Sequence, residues 1–536
     1  MKGHETLAAA LSDLGVSTMF GLMGDGNMYF VDSFVQRGGR YVAVANEAAS
    51  VLMASGYAWA SGEVGVATVT HGPGLANTLA SLVSGARDRV PLLLLTGDTA
   101  YNGREQGQKI DQAALVLPTG AGFEAMTSAN SGPAVVARAF HRALVERRPI
   151  VVNVPVDFNF EEVEYLAPTM VNVAGVPSIP GDDAMDVAVG IMASARRPIV
   201  LAGIGAIDGD APQALTELAQ TLGAPLLTTL AAKGLFGPDK YDLGVCGTLS
   251  SPPAVDAIMA SDCIIAVGAS LNEFTGGGAG WPYFRGKHVV HCDADPSALA
   301  TQYLADAPVL ADATLFARTS IDWLKRAGYA SSGFRETITL GSGEGIAKAS
   351  SGEFVELIDA LVELNRVLPV ERAITVDGGR FAWESIKRLE VPRARCWAGT
   401  FRGFGAVGNA LSTAIGVGMA LSGLPSVAVV GDGGFMIGGL AEFNTAVRYG
   451  VDLIVFVCND GTYGAEYGKL VAHGFAPESS YVDWPDFAPV AQSLGGSGFT
   501  IRNATDLAGL ASVIADRDRP LLIDLKLDRT ASPKEY

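Results

Sequence analysis

The 536-residue sequence predicts an α/β protein built from three doubly wound parallel-sheet domains. Short apolar, strand-like runs alternate with helix-like segments along the whole chain. Many of these runs break at glycine turns. Two stretches rich in Pro, Gly or Ser, "EYLAPTMVNVAGVPSIPGDD" and "SSGFRETITLGSGEGIAKASSGEF", read as linkers and divide the chain into blocks. Length alone argues for roughly three or four domains, and 49% hydrophobic with 18% charged residues suits globular cores.

The first block, residues 1–165, opens on "MKGHETLAAALSDLG", an amphipathic helix pattern rather than a signal peptide. Its strands are read at "TMFGLM", "RYVAVAN", "VGVATVTHG", "VPLLLLTGD" and "RPIVVNVPVD". The central block, 185–335, reads as a Rossmann-like domain with strands at "RRPIVLAGIGA", "GAPLLTTL", "SDCIIAVGAS" and "GKHVVHCDADP". The third, 353–536, has strands at "ERAITVDGG", "PSVAVVGDGG", "VDLIVFVCNDG" and "RPLLIDLKLD".

Composition excludes several partners. The net charge of −18 and the lack of a Lys/Arg-rich run argue against nucleic acid and anionic membranes. Five scattered cysteines without a CxxC pair read as buried free thiols, not zinc ligands or disulfides. No apolar run approaches the ~18 residues of a membrane span. The expectation is a cytoplasmic protein acting on a small molecule.

The stretch Gly431–Gly461, "GDGGFMIGGLAEFNTAVRYGVDLIVFVCNDG", carries the chemistry. It reads as strand end, glycine turn, helix, strand and turn. Parallel strands of a βαβ unit end on one edge of the sheet. Asp432 and Asn459 therefore fall side by side, two oxygen ligands for a hard cation next to a turn whose amides face a phosphate.

With these motifs in this order, the whole chain resembles the thiamine-diphosphate (ThDP) enzymes that include acetolactate synthases, pyruvate oxidases and 2-oxoacid decarboxylases. The resemblance implies pyrimidine-binding, central and diphosphate-binding domains in that order. It implies that Asp432, Asn459 and the Gly461 carbonyl bind Mg²⁺. By the same resemblance Gly431, Gly433 and Gly434 admit the diphosphate, with Tyr463 and Gly464 also on the cofactor. Glu47, in "VAVANEAASVLMASGYAWASG", would meet the pyrimidine ring of ThDP bound to another subunit and act in acid–base catalysis. Alone, it would read as an acid at a helix N-terminus. In "GFGAVGNALSTAIGVGMA", Val407 would take the apolar place under the cofactor, and Gly405 would offer its carbonyl. Relatives usually carry a proline where this chain has "NALSTA", and tight helix packing is a compatible reading of this segment.

Residues that differ among the relatives bear on the reaction. Asp25, in "MFGLMGDGNMYFVD", matches a substrate-lining aspartate of pyruvate- and indolepyruvate-type decarboxylases, although their His-His pair is missing here. His71, in "TVTHGPGLANT", lies where benzoylformate decarboxylase has a functional histidine; its alternative is a structural, amide-bonded role. Gln108 and Asp111, in "REQGQKIDQ", partly match a synthase and oxidase motif, and Glu466 with His473 is similar to a decarboxylase segment only across a gap. Either of the last two also reads as a surface residue. No arginine occurs in "GASLNEFTGGGAG", where flavin-binding synthases carry one, so FAD is the lesser alternative to Mg²⁺ and ThDP alone.

The expected activity is cleavage of a C–C bond beside a carbonyl: decarboxylation of a 2-oxo acid, with release of an aldehyde or carboligation to a second carbonyl. The alternatives are a non-decarboxylating lyase, a hydrolase, a flavin oxidase, or an inactive ThDP-binding regulatory subunit. The expected assembly is a homotetramer, a dimer of dimers.

Overall fold

The computed structural model describes residues 1–101, 106–168, 178–339, 354–400 and 403–530. Parts of both linkers, 169–177 and 340–353, and the start of "REQGQKIDQ" lie outside these residues. Three six-stranded sheets form, and their strands pair in parallel, as in Thr18–Gly21 with Arg40–Ala43 and Gly65–Val69, Pro198–Ala202 with Leu226–Thr228 and Cys263–Val267, and Ser426–Gly431 with Ala373–Val376 and Leu453–Asn459.

The first sheet contains β1 (Thr18–Gly21), β2 (Arg40–Ala43), β3 (Gly65–Val69), β4 (Leu92–Asp98), β5 (Gly122–Ala125) and β6 (Pro149–Pro155), in the order β2-β1-β3-β4-β6-β5. The second contains β7 (Pro198–Ala202), β8 (Leu226–Thr228), β9 (Asp242–Val245), β10 (Cys263–Val267), β11 (His288–Asp293) and β12 (Ala307–Leu310). Its order, β12-β11-β10-β7-β8-β9, is that of a dinucleotide-binding sheet. The third contains β13 (Ala373–Val376), β14 (Trp397–Gly399), β15 (Ser426–Gly431), β16 (Leu453–Asn459), β17 (Ser497–Ile501) and β18 (Leu521–Lys526). Its order, β14-β13-β15-β16-β18-β17, repeats the topology of the first sheet.

The central strands are continuous apolar runs because helices cover both faces of a parallel sheet. β3, β6, β7, β10 and β16 are buried at every position. One compact unit holds the first and third sheets; the other holds the second sheet and the segment Trp383–Trp397. All five cysteines are free and buried, and burial pushes the Cys246 and Cys263 thiols up to about 12. Among the described residues no helix is long and apolar enough to cross a membrane.

In the unit of the first and third sheets, the helices Glu47–Ser61 and Ala410–Ala420 cross at glycines. A Cβ on Gly56 would stand 2.1 Å from the Thr413 carbonyl oxygen, and one on Gly416 would stand 1.9 Å from that of Met53. Only the missing side chains let the two backbones meet.

In the second unit, the switch point between β7 and β10 is filled by backbone. The Gly205 amide donates to the Gly268 carbonyl at 2.9 Å, and a Cβ on Gly203 would lie 2.2 Å from the same oxygen.

Candidate functional site

β15 and β16 pair in register up to Gly431↔Cys458, which places Asp432, just past the end of β15, beside Asn459, the last residue of β16. The glycine turn is itself the start of a helix. Asp432–Gly434 is helical, a π-turn follows at Phe435–Gly439, and the helix continues as Leu440–Tyr449 before Gly450 ends it in a left-handed conformation. Diphosphate at this turn would meet a helix N-terminus.

Asp432 is 4% exposed and is clasped by two amides. Gly433 N–H donates to Oδ1 at 2.7 Å, and Gly461 N–H donates to Oδ2 at 2.8 Å. Burial nevertheless pushes its carboxyl up to about 7, with the charge of Asp460 adding to the effect and the two amides opposing it. A buried carboxylate that keeps this cost is suited to a cation.

Asn459 donates from Nδ2 to Asp524 at 2.9 Å, which turns its amide oxygen away from Asp524. The Gly461 carbonyl accepts from Val482 N–H at 2.9 Å and retains a second lone pair. One carboxylate, one amide oxygen and one carbonyl form a hard donor set that fits Mg²⁺. Among the described residues no cluster of three His, Cys, Asp or Glu side chains forms a metal site. The loop after β16 is braced by a buried ion pair, Arg380 to Asp460 at 2.6 Å.

The Gly405–Gly408 loop lies alongside. Val407 is 43% exposed, and its Cγ1 lies 3.3 Å from where a Cβ on Gly434 would be. Gly405 and Gly408 both have positive φ, 74° and 90°. The loop is held from below by Asp377, at the end of β13. Its Oδ2 accepts from Gly408 N–H at 2.8 Å, and its Oδ1 accepts from Gly378 N–H at 3.0 Å and the Thr400 hydroxyl at 3.2 Å. Burial pushes this carboxyl up to about 6 against those donors. Tyr463 is half-exposed within 4 Å of the Cβ position of Gly433, while Gly464 abuts Asp460 and Arg380. Glu466 and His473, at the two ends of the following helix, are exposed.

The strand ends of the first sheet carry the other candidates. Glu47 opens its helix behind the cap Asn46, and its Oε2 accepts from Asn77 Nδ2 at 3.1 Å. The preceding turn is gripped by Glu442, whose Oε1 accepts from the amides of Ala45 and Asn46, both at 2.9 Å. His71 is 5% exposed at the end of β3, with its ring against Gly26. Burial lowers its pKa, and the charges of Asp98 and Asp25 oppose this. Asp25 itself is exposed.

Gln112 fixes the turn after His71: its Oε1 accepts from Gly72 N–H at 2.9 Å, and its Nε2 donates to the Gly97 carbonyl at 2.9 Å and to Asn153. Gln108 is exposed, and Asp111 caps the helix Gln112–Val116 through Ala114 N–H at 2.9 Å.

The structure thus gathers Asp432, Asn459, Gly461, Val407 and the glycines at one edge, and Glu47, His71 and Asp25 at another. Asp377, Glu442, Gln112 and Asp524 escape motif reading. Their one signal is polarity out of place: Asp524 interrupts the apolar run "LLIDLK", and Asp377 ends an apolar strand before two glycines, as Asp432 nearly does.

The three parallel sheets define an α/β protein with two clusters of polar residues at its strand ends, and sequence comparison is specific about its family. Residues 1–115 match the thiamine pyrophosphate enzyme N-terminal TPP binding domain, 185–319 the central domain, and 377–525 the C-terminal TPP binding domain. The chain belongs to the thiamine pyrophosphate enzyme family and carries both of its cofactor-binding domains. It is similar to an acetolactate synthase of Mycobacterium bovis, 27% identical over 98% of this chain and 88% of that protein. A sulfoacetaldehyde acetyltransferase of Alcaligenes xylosoxydans is also 27% identical, over 92% and 87%. The solved thiamine diphosphate-dependent 4-hydroxybenzoylformate decarboxylase of Rhodococcus jostii shares the fold, with a TM-score of 0.83 at 21% identity over 98% of this chain and 99% of that one.

Proposed function

We propose that this protein is a Mg²⁺- and ThDP-dependent enzyme that decarboxylates a 2-oxo acid and passes the product on as an aldehyde or to a second carbonyl. The carrying observation is the pairing of Asp432 with the Gly461 amide at 2.8 Å beside Asn459, across neighbouring parallel strand ends. When bound, ThDP supplies a nucleophilic carbon and an electron sink for breaking a bond beside a carbonyl.

The chain's own groups do the rest. Asp432, Asn459 and the Gly461 carbonyl would hold the cation, whose charge would offset that of the diphosphate. Gly433 and Gly434 leave the helix N-terminus open to phosphate, and Val407 supplies an apolar platform. Glu47 would hold the proton shared with the cofactor's pyrimidine ring and so serve acid–base catalysis. His71 and Asp25, on the same sheet edge as Glu47, are placed to deliver or hold the proton that decides between aldehyde release and carboligation.

One geometric fact supports catalysis between subunits. Glu47 bonds Asn77, just before the helix Leu79–Arg87, whereas the residues flanking the platform loop bond the far end of that helix, through Arg87 to the Gly403 carbonyl at 3.2 Å and Asn409 to Ser84 at 3.5 Å. Roughly 12 Å of helix separates them, too far for a carboxylate to bond a ring resting on its own chain's platform. This separation favours completion of each site by a second copy, and the assembly we propose is at least a dimer, as a dimer of dimers.

The test is a product assay by NMR over a panel of 2-oxo acids, with and without an aldehyde acceptor. Cation- and ThDP-dependent loss of CO₂ from at least one acid is the expected result. Retention of every carboxylate, with the cofactor bound, would refute the decarboxylase reading.

A further inference from the structure

Asp524 occupies a place where a carboxylate is costly. It lies in β18, the strand that pairs with β16 in the register Val457↔Asp524 and Asn459↔Lys526, and its exposure is 0%. Among the described residues every bonding partner of its side chain is a donor. Oδ1 accepts from Asn459 Nδ2 at 2.9 Å. Oδ2 accepts from Phe487 N–H at 2.9 Å and lies 2.8 Å from the Lys526 ammonium, which also reaches Asp486 at 3.1 Å.

An ionised carboxylate only accepts, while an amide has one donating end and one accepting end. Asp524 therefore dictates which end of Asn459 it receives, and the NH₂ must turn towards it. Without that constraint the amide has two orientations, one of which presents two N–H groups to a cation.

We propose that Asp524 is a positioning residue of the cation site, setting the Asn459 side chain so that oxygen, not NH₂, is offered to the metal. The inference rests on the cation reading of Asp432 and Asn459 and extends it to a residue that touches neither metal nor cofactor.

The experiment compares wild type, Asn459→Asp, Asp524→Asn and the double exchange Asn459→Asp/Asp524→Asn. Calorimetry measures Mg²⁺ affinity in the presence of ThDP, and thermal melting of each apoprotein checks folding. Asn459→Asp sets two buried carboxylates face to face. Asp524→Asn sets an NH₂ against either Phe487 N–H or the Asn459 amide. Each should weaken Mg²⁺ binding by about tenfold to a hundredfold.

In the double exchange the two side chains trade roles. The amide placed on β18 donates to the carboxylate placed on β16 while its oxygen still accepts from Phe487 N–H, so every group regains a partner. Mg²⁺ affinity should return to within about threefold of wild type. Should Asp524→Asn fail to fold, Asn459→Asp against the double exchange still decides, because a merely structural Asp524 gives no such rescue. Wild-type affinity in Asp524→Asn, or a double exchange no better than Asn459→Asp, would overturn the proposal. Full ThDP binding by wild type without any divalent cation would overturn the cation reading and this inference with it.

Discussion

His71 sits buried at the end of β3, and two carboxylates, Asp98 and Asp25, only partly offset the cost of charging it there. Its folded pKa lies below the 6.5 of an unfolded histidine. The unfolded chain then binds the proton more readily, so this group's share of stability is complete above pH 6.5 and is lost as pH falls below it. Proton NMR should give His71 a midpoint under 6.5, and Asp25→Asn, which removes an opposing charge, should lower it further. An upward shift in that variant would contradict the arrangement. If both residues handle the product proton, His71→Ala and Asp25→Asn should each slow aldehyde release by about 10²–10⁴-fold while ThDP affinity holds. Equal loss of carboligation and release would place them in substrate binding instead. The side-by-side placement of Asp432 and Asn459 is legible in the sequence because it follows from their spacing in a βαβ unit. Asp377 and Glu442 are not, because they act by accepting backbone amides from segments remote in sequence: Gly408 for the one, Ala45 and Asn46 for the other.

Helices and strands divide along the same line. The crossing of Glu47–Ser61 over Ala410–Ala420 depends on Gly56 and Gly416, where an added Cβ would overlap a carbonyl oxygen. Gly416→Ala should destabilise the protein by about 1–3 kcal/mol or more, read as a lower melting temperature. Gly190→Ala, in the helix Asp182–Ser194 with nothing within 4 Å of the new Cβ, should instead stabilise by up to about 1 kcal/mol. The reverse order would show that the crossing is not close-packed.

The thirteen strands read from sequence include every interior strand of the three sheets, whose buried faces demand continuous apolar runs. β5, β9, β12, β14 and β17 escape that reading, and all five are edge strands. Four of them have exposed or half-exposed positions, as in the alternating "APVL" of β12, and the fifth, β14, has three residues. An edge strand needs one paired neighbour and one covered face, which leaves little imprint on composition.

At the scale of the whole molecule, the first and third sheets share one topology, and each carries one of the two strand-end clusters. Within the chain they are tied by the helix Leu440–Tyr449. Glu442 holds the amides of Ala45 and Asn46, Arg448 donates to the Ala43 carbonyl at 2.7 Å, and the Ala43 amide donates to the Tyr449 hydroxyl at 2.7 Å. These contacts set the turn before Glu47 about ten residues along the helical segment from Asp432, which again separates the two clusters.

Completion of each site by a second copy is therefore the central claim, and complementation tests it most directly. Glu47→Gln should bind ThDP yet exchange its C2 proton slowly, and Asp432→Ala should fail to retain the cofactor, so each homo-oligomer is inactive. Reassembled in equal amounts, half of the dimers pair one variant with the other. In each such dimer one site receives an intact Glu47 from one chain and an intact Asp432 from the other. Activity should return to roughly a quarter of wild type. A mixture that exchanges subunits and stays inactive would contradict the account.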